Sequence, residues 1–236
     1  PGIAQPGTAQ PDTESQTTAE AAPVEPTPTR ALADAFEPGT PLEFTRPDSV
    51  RGLYLNAWTA GSQGRLNRLI ALADSTEINA FVIDIKDATG YVSHPSRLPA
   101  VREAGATGEQ RIADLRGLLE RLQAHDIYPI ARIVVVKDPL LIAHRPELAV
   151  QDTAGGVWVD SKGFVWLNPW HDGVLAYHLD LAQEVAALGF PEIQWDYIRC
   201  PGAPQSDLLR AELTGARGPR TDAIRGFLEQ ARGELD

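Results

Sequence analysis

A single cysteine, Cys200, and no methionine stand in a chain of 236 residues. One cysteine excludes an internal disulfide framework and a zinc site built on thiolates. No run is apolar enough to cross a bilayer as a helix, and no signal peptide is visible. With methionine missing even from position 1, a processed or partial chain is expected, and an anchor or leader ahead of Pro1 is the one route to a membrane. Basic residues are in deficit: 21 Lys and Arg face 32 Asp and Glu, a formal net charge of −11. That surface repels phosphate backbones, which excludes nucleic acid as a partner, and it gains little from an anionic membrane. A neutral partner such as a sugar polymer is compatible with it. His144, His171 and His178 lack the mutual spacing of metal ligands. No metal and no organic cofactor is implied.

The first 46 residues also lack material for a core. Pro, Thr, Ala, Glu and Gln dominate them, and the first aromatic residue is Phe36. Such a stretch buries too little apolar area to offset its ordering entropy, so residues 1–46 are expected to form a disordered tether and residues 47–236 the folded domain. After Pro47 the texture changes. "GLYLNAW" (52–58), "NAFVIDIKD" (79–87), "IYPIARIVVVKD" (127–138) and "EIQWDYIRCP" (192–201) read as strands rich in β-branched and aromatic residues. Between them, "GRLNRLIALADS", "RIADLRGLLERLQAHD" and "GVLAYHLDLAQEVAALGF" carry apolar residues at helical spacing. Gly189 stops the third of these helices. A last helix, "TDAIRGFLEQARGEL", takes Thr221 as its N-cap. Four strand–helix units in alternation predict a parallel sheet covered by helices, the first half of a (β/α) barrel of the TIM type. "GGVWVDSKGFVWLNPW" (155–170) breaks the alternation and predicts a β-hairpin inserted after the third strand.

The charged residues fall where the strands end. Asn56 and Trp58 close the first, Asp84, Lys86 and Asp87 the second, Lys137 and Asp138 the third, and Asp196 and Arg199 the fourth; Arg132 lies within the third. In a parallel sheet all C-terminal ends share one edge, and in (β/α) barrels that edge holds the active site. A carboxylate closing an apolar strand is costly unless paired, and successive strands ending this way suggest a site. Each residue also has a plain structural alternative. Asp84 and Asp87 suit loop capping or a pair with Lys86, Arg132 suits a tie between neighbouring carboxylates, and Asp138 suits the start of a loop. His178 suits helix packing. Trp158, Trp166 and Trp170 suit either a hairpin core or stacking under sugar rings.

Five ordered motifs, "RGLYLNAWTAG", "FVIDIKDATGYV", "IARIVVVKD", "GGVWVDSKGFVWLNPW" and "EIQWDYIRCP", together resemble a bacterial family of glycoside-hydrolase-like proteins. Its members are envelope or secreted proteins with a TIM-barrel-like domain distantly similar to the α-amylase superfamily. The resemblance spans about Arg51 to Pro201. It implies that Asp196 occupies the position of the catalytic nucleophile. Gln194 stands where those enzymes carry an arginine. It also implies a general acid at the end of a fifth strand, which lies beyond Asp236 if the chain is truncated.

The expected function is hydrolysis of an envelope or extracellular polysaccharide. Asp196 and Asp84 are the candidate catalytic carboxyls. Arg132 and Arg199 would hold Asp196. Asp87, Lys86, Trp58, Trp166 and Trp170 would bind sugar. A non-catalytic polysaccharide-binding module of the envelope is the alternative, and a sugar deacetylase is disfavoured by the lack of an Asp/His metal cluster.

Overall fold

Four apolar segments become strands because each can bury both faces or at least one. The computed structural model describes residues 41–202 and 205–235. Strands β1 (Gly52–Leu55), β2 (Ala80–Lys86), β3 (Tyr128–Val134) and β5 (Ile193–Asp196) form one parallel sheet in the order β1-β2-β3-β5. The parallel α/β architecture and the sequential strand order follow the sequence pattern. A short antiparallel pair, β4 (Gln151–Asp152) with β6 (Ala211–Glu212), lies outside that sheet.

Alternation divides the sheet into two faces. Phe81, Ile83 and Ile85 of β2 and Ala131 and Ile133 of β3 are fully buried. Trp195 of β5 belongs to the same face and meets Phe227 edge-on at 5.1 Å. Helices supply the covering layer: α1 (Ala57–Ala60), α2 (Gln63–Asp74), α3 (Pro99–Glu103), α4 (Leu115–Gln123), α5 (Pro139–His144), α6 (Asp172–Leu188), α7 (Gln205–Leu208) and α8 (Arg220–Leu235). Helix α6 ends where predicted: Gly189 adopts φ 118° and its N–H reaches the carbonyls of Val185 and Ala186. Helix α8 begins at Arg220, so Thr221 lies inside its first turn rather than capping it.

Two features depart from expectation. Residues 1–40 of the predicted tether lie outside the described residues. Pro41–Arg46 has no regular structure, yet it packs: Phe44 seats against Ala80, Tyr128 and Ile130 at the start of the sheet. The Gln123 side chain donates to the Glu43 carbonyl at 3.0 Å, and Arg46 pairs with Glu192 at 3.0 Å. One aromatic ring supplies the apolar area that the composition average had hidden, so the packed chain begins before the predicted boundary at 46. Residues 155–170 hold isolated antiparallel bridges, Gln151↔Val157, Val159↔Val165 and Ala149↔Leu167, and no ladder. Their tip is organised by Asp160, whose carboxylate accepts from the Lys162 and Phe164 amides and from the Trp166 indole N–H at 2.9–3.0 Å.

A buried polar knot ties the loop after β2 to helix α6. Glu184 accepts from the Ser96 hydroxyl at 2.6 Å, from the Arg97 amide at 2.8 Å and pairs with His94 at 3.1 Å. Burial alone would raise the Glu184 pKa. The hydrogen bond and charge of His94, with the Ser96 hydroxyl and Arg97 amide, outweigh it and hold the carboxyl below its usual range. A folded value below the unfolded one gives stability that is complete above the unfolded value, about 4.3, and is lost as pH falls through the lower folded value. Glu184→Gln is therefore expected to cost about 1–3 kcal/mol at neutral pH. The gap to wild type in urea titrations should shrink below about pH 4; a gap that is constant with pH would contradict this role.

Candidate active site

The sheet face opposite the helices carries the polar residues. Tyr54 on β1, Asp84 on β2, Arg132 on β3 and Asp196 on β5 come together near the C-terminal ends of their strands. Register explains the convergence: Asp84 lies beside Arg132, and Asp196 beside Val134, two residues and one pleat further on. Arg132 is the hub. Its Nη1 donates to Asp84 Oδ1 at 2.5 Å, while Nε and Nη2 donate to Asp196 Oδ2 at 2.8 and 2.5 Å. Burial works against the Arg132 charge, and the two carboxylates more than offset it, so its pKa rises.

The two carboxylates differ in what remains free. The Asp84 side chain is 3% exposed, and its second oxygen accepts from the Tyr54 hydroxyl at 2.5 Å. Burial first, then that bond to Asp84, pushes the Tyr54 pKa up to about 12, so Tyr54 stays a proton donor to Asp84. Asp196 is 36% exposed. Its Oδ1 accepts from the Tyr197 amide at 2.6 Å. Tyr197 adopts φ 52°, a left-handed conformation that a bulky residue takes only under constraint. The chain thus turns sharply just after the carboxylate. Trp195, Asp196, Tyr197, Ile198 and Arg199 line an open depression there.

Other predicted site residues lie elsewhere. Lys86 is 0% exposed, pairs with Asp138 at 2.9 Å and donates to the Val134 carbonyl at 2.7 Å. Strict alternation would put Lys86 on the face of Asp84. The register slips between them, and Lys86 pairs with Ile133. This bulge re-aims Lys86 into the helix-covered core, so it has no surface to offer a sugar. Asp138 also caps α5 by accepting from the Leu141 amide at 2.8 Å. Gly90, at φ 89°, is required beside it, because a Cβ there would sit 2.4 Å from the Asp138 carboxylate. His178 is buried near Lys86. Burial, then the Lys86 charge, pushes its pKa down to about 3, so it is a neutral packed histidine.

Asp87 turns away from Arg132 toward Arg111, at 2.5 Å, and accepts from the Thr89 amide at 2.9 Å and from the Thr89 hydroxyl. Burial opposes ionisation of Asp87, but the Thr89 and Arg111 bonds prevail and its pKa is lowered. Arg111 lies 5.3 Å from the Trp58 ring, and Trp58, on α1 rather than a strand, remains 57% exposed. Trp166 is 2% exposed and gives its indole N–H to Asp160. It is therefore a core residue and not an open stacking platform. Trp170 is half-buried and its indole nitrogen is enclosed without a partner among the described residues. Arg199 does not pair with Asp196; it lies over the rings of Trp166 and Tyr197 at 5.4 and 5.2 Å.

Sequence reasoning missed Tyr54 and Arg111. Tyr54 had a usable signal, since it alternates with the inward Leu53 and Leu55 on a strand that opens toward the polar edge. Arg111 had none, because 24 residues separate it from Asp87.

The family described as "Putative glycosyl hydrolase domain" matches residues 52–236. The crystal structure of a hypothetical protein from Ruminiclostridium thermocellum ATCC 27405 is 39% identical. That alignment covers 78% of this chain and 93% of the other, with a TM-score of 0.72. A Glycoside Hydrolase Family 20 β-N-acetylglucosaminidase is 17% identical over 79% of this chain and 41% of its own, with a TM-score of 0.52. The noncanonic maltogenic α-amylase AmyB from Thermotoga neapolitana is 14% identical over 79% and 43%, with a TM-score of 0.51. These last two are glycosidases with TIM-barrel-type folds, and at such identities the likeness shows the fold. The chain spans less than half the length of either. No curated protein matches it.

Proposed function

This chain belongs to the family described as "Putative glycosyl hydrolase domain", and we propose that it forms the catalytic face of a glycoside hydrolase in which Asp196 is the reacting carboxylate. The observation that carries this reading is the setting of Asp196. It closes β5, is partly exposed, and accepts hydrogen bonds on both oxygens, from Arg132 and the Tyr197 amide. Donors face both of its oxygens, so the geometry has it accepting bonds rather than giving one. It suits attack on an anomeric carbon or activation of a water, and not proton donation to the leaving oxygen. Arg132 fixes its orientation.

Asp84 takes a different role from the one its position in sequence suggested. Its side chain is enclosed, 3% exposed against 36% for Asp196, and it bonds Arg132 and Tyr54, so it acts as a positioning residue that holds both. The proton donor then comes from another strand. The substrate is a polysaccharide of a bacterial envelope or its surroundings.

One observation favours a second reading, a polysaccharide-binding module. Trp58 is widely exposed with Arg111 fixed against its ring, an arrangement suited to stacking under a sugar. Reducing-end release from a panel of envelope and plant polysaccharides by the full-length protein separates the two. The hydrolase reading expects new reducing ends on at least one polymer. Binding of a polymer with no bond cleavage would favour the module.

A further inference from the structure

Beside Asp196, the depression is lined by a cation, Arg199, that the proposed chemistry does not use, and a buried second cation, Lys137, shares an aromatic ring with it. Arg199 lines the same depression as Asp196 and lies over the Trp166 ring at 5.4 Å. The Lys137 ammonium lies on that same indole at 3.9 Å and on the Phe164 ring at 3.7 Å. Lys162 stands at the tip of the same segment, near enough to act on Lys137. Neither Lys137 nor Arg199 has an ion pair among the described residues. The carboxylate that acts on Lys137 is Asp160, already occupied by two amides and the Trp166 indole.

Three other enclosed cations are matched by carboxylates. Arg132 faces two carboxylates, Arg111 faces Asp87 and Glu109, and Lys86 faces Asp138. Around Trp166 the balance differs: Lys137 and Arg199 share its ring, Lys162 acts on Lys137, and Asp160 is the one carboxylate acting on Lys137, in a chain whose net charge is −11. Holding like charges together on aromatic rings is unfavourable: burial lowers the Lys137 pKa, Asp160 opposes that, and Arg199 and Lys162 add to it. A negative ligand group relieves this cost, and an exposed guanidinium is the natural partner for a carboxylate or sulfate. Resting on the hydrolase reading of the same face, we infer that the substrate is an acidic glycan whose anionic group is bound by Arg199, with Lys137 and Lys162 reinforcing the field, next to the sugar that reaches Asp196. The neutral polymer compatible with the overall charge is thereby replaced by one read through a local positive spot. Non-specific adsorption of a polyanion is disfavoured by the rest of the surface.

The test measures binding without turnover, in the full-length protein carrying Asp196→Asn. The probes are polygalacturonate and its carboxyl-reduced form, and dextran sulfate and dextran, so that each acidic polymer has a neutral match and carboxylate is told from sulfate. Binding of at least one acidic polymer is expected, weaker by about tenfold for its neutral match and by about tenfold in Arg199→Gln, with a further loss in Arg199→Glu. Arg199 is exposed, so both variants should unfold as the parent does. Equal binding of acidic and neutral forms, no binding of either acidic polymer, or indifference to Arg199→Glu would each overturn the inference. Acid-selective binding in a protein that cleaves no glycan would leave it standing and sink the hydrolase reading. Cleavage of a neutral polymer with no dependence on Arg199 would do the reverse.

Discussion

Asp196→Asn in the full-length protein is expected to lower kcat by about three orders of magnitude or more while polysaccharide binding persists. The swap is close to isosteric. Asn keeps a carbonyl oxygen that can accept from Arg132 or from the Tyr197 amide, so the turn at Tyr197 survives. An amide neither attacks an anomeric carbon nor takes a proton from water, so the chemical step fails while ground-state contacts remain. KM should therefore change far less than kcat. Asp84→Asn should behave differently. It loosens Arg132 and Tyr54, so activity falls by about one to two orders, with a loss of thermal stability that Asp196→Asn does not show.

The second large effect is on stability. Lys86→Ala is expected to cost about 3–5 kcal/mol, because it leaves the Asp138 carboxylate in the core without its cation and the Val134 carbonyl without its donor. Both side chains of the pair have no exposure, so water cannot replace the lost partner without opening the core. Lys86→Met combined with Asp138→Asn should recover most of the loss. It removes both charges, while Asn can still accept from the Leu141 amide to cap α5. Denaturant titration of the single and double variants checks this. Additive losses would show that the two groups do not depend on each other.

The fold was legible because the signals were local. Val82, Ile83 and Ile130 with their neighbours announce buried strands, and Gly189 announces a helix end, from a few residues each. The gathering of Asp84, Arg132 and Asp196 was legible too, since parallel strands bring their ends to one edge whatever the loops do. What failed were inferences that run through exact register. Alternation placed Lys86 beside Asp84, and one bulge turned it into the core; nothing in "FVIDIKD" announces a bulge. Arg199 is as close to Asp196 in sequence as a salt bridge needs, yet the left-handed turn at Tyr197 sends it over Trp166. The knot at Glu184 joins residues about 90 positions apart, and no local pattern connects them.

The most direct measurement is rescue of Asp196→Ala by azide. Truncating the side chain leaves room where the carboxylate stood and removes the group proposed to react. In the full-length protein acting on an activated glycoside, the account predicts near-complete loss of turnover. It then predicts recovery with millimolar-scale azide and a glycosyl azide as product, because the small anion attacks in place of the carboxylate. Turnover by Asp196→Ala at the wild-type rate, without azide, would contradict it and move the chemistry to another residue.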